Sequence, residues 1–208
     1  MAESMACDHT ADYLPAGALR CRTMSDLAWR LGARYPGSDY KIFKTAFVDG
    51  IHPLTGASMQ FSLIECVDWV NIIALTPDDR VVLIRQFRPG TNSVCVEIPG
   101  GMIDPGEQPL VAAARELEEE TGYTSNDWRM LGKVAPNPAI QSNHLHTYLA
   151  LGARPTHPQR LDGSEVIALE TVPLPEVQDM LRDGRIDHAL VITAFAHLAL
   201  HLGPLRRP

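Results

Sequence analysis

The stretch from Gly101 to Tyr123 constrains the fold of this chain most strongly, because it combines a glycine-rich turn with a helix whose two ends are marked. Asp104-Pro105-Gly106 indicates a turn. Pro109 then suits the first turn of a helix, where its missing N–H group needs no partner. Gly122 is a natural C-terminal stop, because glycine readily takes the left-handed conformation. We therefore expect a helix from about Pro109 to Thr121.

The two sides of this helix differ in character. Apolar residues at three- and four-residue steps predict a buried side formed by Leu110, Val111, Ala114 and Leu117. Three glutamates at positions i, i+3 and i+4 share one face, and we expect that face on the opposite side of the helix: Glu116, Glu119 and Glu120.

Carboxylates this close together repel one another and raise one another's pKa values. They also stand near the C-terminal end of the helix, where its dipole disfavours negative charge. A hard divalent cation with oxygen ligands would compensate both effects. Arg115 is placed to pair with Glu118 or Glu119. A solvated charged face is the alternative interpretation, and for a run of glutamates alone it would be the better one.

The complete spacing favours the metal. Gly101 is followed after five residues by Glu107, and after seven more by the run Arg115-Glu116-Leu117-x-Glu119-Glu120-x-Gly122. This pattern resembles the Nudix box; its one loose position is Tyr123, where the family usually has an aliphatic residue. The resemblance implies a Nudix hydrolase, an enzyme that cleaves a nucleoside diphosphate linked to another moiety.

Two further segments resemble the branch of this family that hydrolyses ADP-ribose and nucleoside diphosphate sugars. In Arg85-Gln86-Phe87-Arg88, the position of Arg88 is that of an arginine that contacts the substrate diphosphate in the relatives. Arg85 is a second candidate, and a surface ion pair is the alternative for either arginine. In LGKVAPNPAIQSNHLHTYLA, Pro138 stands sixteen residues after Gly122 and marks the branch. The resemblance covers roughly residues 41 to 200.

The resemblance also implies a metal site. Its ligands would be the carboxylates of Glu116, Glu119 and Glu120 and the carbonyl of Gly100. The cation would be Mg²⁺, with Mn²⁺ as the alternative. Arg115 would fix the orientation of a carboxylate in the catalytic cluster.

The catalytic base is expected in the acidic loop before the last strand. That loop offers Asp162 and Glu165, and Glu119 or Glu120 is the fallback. Glu97 either contacts the substrate or caps the glycine turn as a structural carboxylate. Pro138 marks the branch and would lie by the substrate, although a loop turn is the alternative interpretation.

Two pairs of histidines have a simpler interpretation. His144 and His146 alternate along a predicted strand, and His197 and His201 share a helix face. No third metal ligand stands at a plausible spacing. We therefore interpret both pairs as polar faces of amphipathic elements.

The remaining pattern predicts an α+β fold. Strands are expected before and after the central helix, and two helices follow the last strand, Pro175 to Arg182 and Asp187 to Leu202. The resemblance implies a Nudix-type α/β/α sandwich with a mixed sheet, preceded by a small antiparallel unit of N-terminal strands. The predicted division is a peripheral segment 1–40, a strand unit 41–70 that serves dimerisation and substrate lining, and a Nudix hydrolase domain 71–203.

The N-terminal part of the chain is less clearly patterned. We expect a short helix from Met24 to Leu31 and a turn or linker from Tyr35 to Ser38. The strand that starts at Lys41 is expected to break near Asp49-Gly50.

Composition excludes several classes of protein. A net charge of −7 over 208 residues argues against a non-specific nucleic-acid binder. The longest apolar stretch is too short for a membrane span, and the N-terminus lacks the basic start and apolar core of a signal peptide. Four cysteines without paired spacing indicate reduced thiols and a cytoplasmic protein.

These observations lead to one main hypothesis. The protein would hydrolyse the diphosphate linkage of ADP-ribose or a related nucleoside diphosphate sugar, giving a nucleoside monophosphate and a sugar phosphate, with Mg²⁺ as cofactor. GDP-mannose and dinucleotides are alternative substrates. A non-catalytic Nudix-fold regulator is the alternative of another class. The resemblance further implies a homodimer with exchanged N-terminal strands.

Overall fold

The helices and most of the strands follow the predicted order. The computed structural model describes residues 23–163 and 165–202. In those residues a single 3-10 turn, Met24–Leu27, precedes twelve strands and three helices. The strands are β1 (Arg30–Asp39), β2 (Lys44–Ile51), β3 (Ser58–Glu65), β4 (Trp69–Leu75), β5 (Arg80–Arg88), β6 (Ser93–Glu97), β7 (Gly100–Met102), β8 (Tyr123–Thr124), β9 (Asp127–Val134), β10 (Leu145–Leu151), β11 (Arg154–Pro155) and β12 (Ile167–Pro173). The helices are α1 (Pro109–Thr121), α2 (Leu174–Arg182) and α3 (Ala189–Leu202).

A mixed sheet with the strand order β12-β5-β4-β10-β9 forms the centre of the main domain. β4 and β10 are parallel, and the other neighbours in this order are antiparallel. Residues of β4 alternate between two cores: Val70 and Ile72 face α1, whereas Ile73 and Leu75 face α2 and α3. Both faces of the sheet are therefore covered, which confirms the predicted α/β/α sandwich.

Helix α1 has the predicted bounds, but its buried side differs from the prediction. Leu110, Val111 and Ala114 are exposed. Leu117 is buried as predicted, and Ala113 and Glu120 are buried with it, at the spacing i, i+4 and i+7. One of the glutamates thus lies on the buried side of the helix and not on the opposite side, because the stripe that faces the sheet continues through its position.

β1, β2 and β3 form a separate antiparallel sheet in that order. The turn predicted for Tyr35–Ser38 is wrong, because these residues lie within β1, whose every residue is exposed. Pro36 is tolerated there since an edge strand has one unpaired side. The predicted break near Asp49-Gly50 is absent because β2 is continuous, and the predicted helix Met24–Leu31 is only a 3-10 turn that ends at Leu27.

The predicted boundary between the peripheral segment 1–40 and the strand unit 41–70 divides this small sheet. β1 places residues 30–39 beside β2, on the other side of the boundary at residue 40. Residues 1–22 of the peripheral segment lie outside the described residues. The division into three segments stays a proposal. Among the residues described, none of the helices combines the length and apolar character that a bilayer crossing requires.

Candidate active site

A pair of glycines on β7 lets two glutamates of α1 approach the sheet. β7 pairs antiparallel with β4, which fixes the backbone of Gly100 and Gly101 beside the helix. A Cβ atom on Gly101 would lie 2.4 Å from Oε1 of Glu116. The N–H group of Gly100 donates a hydrogen bond of 2.9 Å to Oε2 of Glu120. The missing side chain of Gly101 therefore makes room for the carboxylate of Glu116, whereas a Cβ atom on Gly100 would lie 2.4 Å from the carbonyl oxygen of Val70, so that glycine allows the close approach of β7 to β4.

Arg115 binds the acidic face of α1 to the turn that precedes the helix. Its Nε and Nη2 donate to the two carboxylate oxygens of Glu107 at 3.1 and 2.9 Å. Its Nη1 donates to Glu116 at 2.8 Å and to Glu119 at 3.3 Å, and Nη2 also reaches the carbonyl of Met102. The predicted pairing with Glu119 is present, and the guanidinium holds the pKa of Glu107 below its usual value. A planar fork of donors suits this position better than a point charge would.

Burial controls the charge of the two glutamates that face the glycines. It raises the pKa of Glu120 to about 8, and the nearby charges of Glu116 and Glu165 act in the same direction. Hydrogen bonding from Gly100 and the charge of Arg88 oppose this rise without cancelling it. Burial likewise raises the pKa of Glu116, although Arg115 opposes it. A buried and a partly buried carboxylate at one site are expected to bind a cation.

The donor set fits a hard divalent cation such as Mg²⁺, because it consists of carboxylate and carbonyl oxygens. In residues 23–163 and 165–202, however, no three histidine, cysteine, aspartate or glutamate side chains already converge on one metal position. The ion pairs give a physical reason: Arg115 binds one oxygen of Glu119, and Arg160 binds the other at 3.1 Å. Glu119 is therefore directed at cations of the protein itself.

Arg88 and Arg85 lie on opposite faces of β5. Arg88 forms a two-point ion pair with Glu97, with Nε to Oε1 at 2.6 Å and Nη2 to Oε2 at 2.8 Å. This contact raises the pKa of Arg88. Arg85 instead pairs with Glu170 of β12 at 2.8 Å. Residues three apart on a strand point to opposite sides, so Gln86, and not Arg85, shares the face of Arg88.

A cavity of about 490 Å³ lies over these groups. It brings together eight of the predicted site residues: Arg88, Gly100, Arg115, Glu116, Glu119, Glu120, Asp162 and Glu165. The other predicted residues do not line it; Pro138 is exposed in the loop between β9 and β10. Sequence reasoning missed Gln86 and Arg160, which also line this cavity. The alternation of β5 could have identified Gln86.

A second cavity of about 330 Å³ adjoins the first. The two share Arg88, Gly100, Gly101 and Met102. Its other walls carry three polar side chains, those of Asn71, Glu97 and His188. The remaining wall residues are apolar: Trp69, Val70, Ile98, Leu145, Leu190 and Val191. Glu97, predicted either as a substrate contact or as a cap of the glycine turn, is the buried acid of this wall.

The segment 156–160 closes the C-terminal end of α1. The N–H groups of Thr156 and His157 both donate to the carbonyl of Gly122, and Arg160 N–H donates to that of Glu119 at 2.8 Å. Gly122 has a left-handed φ of 73°, and a Cβ atom there would lie 2.0 Å from the carbonyl oxygen of His157. This segment therefore satisfies helix-terminal carbonyls and holds Arg160 beside the acidic cluster.

The histidines differ from the predicted polar faces in one respect. His146 is buried, and its Nε2 lies 2.9 Å from Oδ2 of Asp68. The N–H group of His144 donates to the same carboxylate at 2.7 Å. The ring of His197 packs against Gly132, where a Cβ atom would be 2.4 Å away. The interpretation as a polar face is thus wrong for His146, which is buried and contacts the partly exposed carboxylate of Asp68.

Comparisons with known proteins agree with the geometry. Residues 68–195 match the NUDIX domain family. The chain is 30% identical over 154 residues to a methanol dehydrogenase activator from Bacillus methanolicus, covering 74% of this chain and 83% of the relative. It is 26% identical over 155 residues to an ADP-ribose pyrophosphatase from Bacillus subtilis, covering 74% and 84%.

A solved structure shows the same fold. The crystal structure of an ADP compounds hydrolase superposes with a TM-score of 0.73 at 26% identity, and the match covers 84% of this chain and 94% of that one. The family match includes α1, the glycine pair and Arg88, which together form the site described above. The chain belongs to the Nudix hydrolase family.

Proposed function

We propose that the protein hydrolyses the diphosphate linkage of ADP-ribose or a related nucleoside diphosphate sugar and releases a nucleoside monophosphate and a sugar phosphate. The observation that carries the proposal is the pair formed by the partly buried Glu116 and the buried Glu120 against Gly100-Gly101, in a cavity that Arg88 also lines. Relatives named ADP-ribose pyrophosphatase and ADP compounds hydrolase support the choice of substrate.

The metal ligands would be Glu116, Glu120 and the carbonyl of Gly100, with Glu119 as a further ligand. Mg²⁺, or Mn²⁺ as the alternative, would neutralise charge on the diphosphate and acidify a water molecule. Arg115 would orient Glu116 through its 2.8 Å contact. Arg88 would hold a phosphate oxygen with the donors that Glu97 does not use.

We propose Glu165 as the base that accepts the proton of the attacking water. It lines the cavity, and its charge raises the pKa values of both Glu116 and Glu120, so it lies within electrostatic reach of the metal ligands. Asp162 lines the same cavity and is the alternative base. Comparing the kcat of Glu165→Gln with that of Asp162→Asn would decide between them.

Two further proposals concern the assembly and its setting. The exposed strand β1 carries apolar side chains, Leu31 at 59% and Tyr35 at 47% exposure, which supports a homodimer through the N-terminal sheet. Sedimentation equilibrium of the full chain tests this, and a monomer at micromolar concentration would contradict it. Cys66 and Cys95 are free thiols, which supports a reducing compartment such as the cytoplasm.

The experiment for the main proposal measures phosphate release from ADP-ribose with Mg²⁺, using a coupled phosphatase that acts only on the products. GDP-mannose, a nucleoside triphosphate and a dinucleotide serve as comparison substrates. Glu120→Gln removes a proposed ligand, and Glu118→Gln is the matched control because Glu118 does not line the cavity.

We expect ADP-ribose turnover that the Glu120 variant loses and the Glu118 variant keeps. Preference for GDP-mannose or the dinucleotide would keep the chemistry and change the substrate. Binding of ADP-ribose without turnover of any compound would contradict the proposed enzymatic activity. It would favour a regulatory protein, for which the relative named methanol dehydrogenase activator is the precedent.

A further inference from the structure

Arg160 stands out among the three arginines of the main cavity because few of its donors are engaged. Nε and Nη2 of Arg88 bind Glu97, and all three guanidinium nitrogens of Arg115 have partners. Within the described part of the chain, the guanidinium of Arg160 makes one hydrogen bond, from Nη2 to Oε1 of Glu119 at 3.1 Å, and the same Nη2 lies 3.9 Å from Oε1 of Glu118. Its side chain is 69% exposed. Arg160 also lines the main cavity, so the donors that Glu119 does not engage are accessible to a ligand there.

The backbone holds this arginine in place although its side chain is exposed. Arg160 N–H donates to the carbonyl of Glu119 at 2.8 Å, and the side-chain amide of Gln159 donates to the carbonyl of Glu120 at 2.6 Å. These bonds tie the segment to the end of α1, beside the acidic cluster. The backbone of Arg160 is therefore fixed, and its long side chain lets the guanidinium reach more than one partner without movement of the loop.

The carboxylate nearest to Arg160, that of Glu119, is a proposed metal ligand. Arg115 binds the other oxygen of Glu119 at 3.3 Å, so both oxygens contact cations of the protein. A carboxylate oxygen that binds a divalent cation directly is less available to a guanidinium, since both are attracted to the same lone pairs. Metal and Arg160 should compete for Glu119.

We propose that Arg160 is a phosphate-binding residue that changes partner during the catalytic cycle. It pairs with Glu119 in the metal-free protein. When Glu119 binds the metal, Arg160 is released and its guanidinium binds a phosphate oxygen of the substrate, next to Arg88. The second half of this inference rests on the proposed function, because the site must take a diphosphate; the first half concerns only the metal.

The test uses Arg160→Gln in the full chain. Mn²⁺ binding without substrate is measured by electron paramagnetic resonance, and the kinetics with ADP-ribose and Mg²⁺ are measured separately. We expect about threefold to tenfold tighter Mn²⁺ binding, because a competing cation is removed. We also expect about a tenfold higher KM with a smaller change in kcat, because a charge-assisted contact to phosphate is lost. Arg160→Lys should have a KM between those of the wild type and Arg160→Gln, because lysine keeps the positive charge.

Two controls make the result specific. Arg182→Gln removes an exposed arginine paired with Asp179 outside the cavity, and it should change neither quantity. In a Glu119→Gln background, Arg160→Gln should no longer tighten Mn²⁺ binding, because the contested oxygen has lost its charge.

Either of two results would overturn the inference. One is Mn²⁺ affinity that stays equal or falls in Arg160→Gln, which would make the contact with Glu119 a structural one. The other is an unchanged KM in a variant whose Mn²⁺ affinity has risen, which would remove the substrate contact. If wild-type protein does not turn over ADP-ribose, the proposed function fails by itself, and the Mn²⁺ titration still tests the competition.

Discussion

Without metal, the protein should lose stability as the pH rises from about 5 to about 8, and Glu120→Gln should remove most of that loss. Glu120 is 3% exposed, and its pKa is about 8 in the folded protein against 4.5 for a free glutamate. The folded state thus holds the proton more tightly than the unfolded state does. Stability from this group is complete below about pH 4.5 and is lost as the pH rises through 8.

The size of the effect follows from the same two pKa values. A rise from 4.5 to about 8 corresponds to an upper limit of roughly 5 kcal/mol, at about 1.36 kcal/mol per pKa unit. Part of the repulsion is shared with Glu116 and Glu165, which can relax when Glu120 ionises. We therefore expect the wild-type protein to lose about 2–4 kcal/mol relative to the variant across this range.

Urea unfolding in EDTA at pH values from 5 to 9 measures the difference. The glutamine keeps an oxygen for the Gly100 N–H group, which donates to Glu120 in the wild type. Subtracting the unfolding free energy of the variant from that of the wild type at each pH cancels the contribution of the histidines, which titrate in both proteins. Glu118→Gln is the control and should follow the wild type. A difference that is flat with pH, or that favours the wild type at pH 8, would refute the reasoning.

Three other substitutions test parts of the site. Gly122→Ala should cost about 2 kcal/mol or more, because the left-handed φ and a carbonyl 2.0 Å from the new Cβ both disfavour a side chain; an unchanged Tm would contradict the described helix end. Gly132→Ala should cost about 1–3 kcal/mol by crowding the ring of His197, and His197→Ala should recover part of this in urea unfolding, whereas additive losses would argue against that contact. Arg115→Lys should lower kcat/KM by about 10- to 100-fold without a change in circular dichroism, because lysine cannot reproduce the fork of contacts; wild-type kinetics would mean that this fork is not needed.

The ends of α1 could be predicted because single residues determine them. Proline is favoured only in the first turn of a helix, and glycine is favoured where the chain leaves it with a positive φ. Pro109 and Gly122 therefore gave the right bounds. The buried side was predicted only in part: Leu117 is buried, but Leu110 and Val111 fit the apolar pattern and are exposed, and Glu120 takes an interior place. Periodicity shows how residues group on a helix, but not which group meets the neighbouring layer.

The box residues of the site were predictable, whereas the groups brought by other segments were not. Spacing along one helix fixes which carboxylates share a face. Arg160 comes from a loop with no periodic pattern, and its place beside Glu119 depends on backbone hydrogen bonds to the end of α1. β1 was missed for a related reason: its residues are all exposed, so it lacks the alternation that marks a strand.

The products of ADP-ribose turnover test the central claim most directly. Phosphorus NMR would follow ADP-ribose with Mg²⁺ and the wild-type protein, beside Glu120→Gln. We expect the diphosphate signals to be replaced by two phosphomonoester signals in equal amounts, those of AMP and ribose 5-phosphate, and the variant to leave the diphosphate intact. Release of ADP or of inorganic phosphate, or equal turnover by the variant, would contradict hydrolysis of the diphosphate linkage at this carboxylate site.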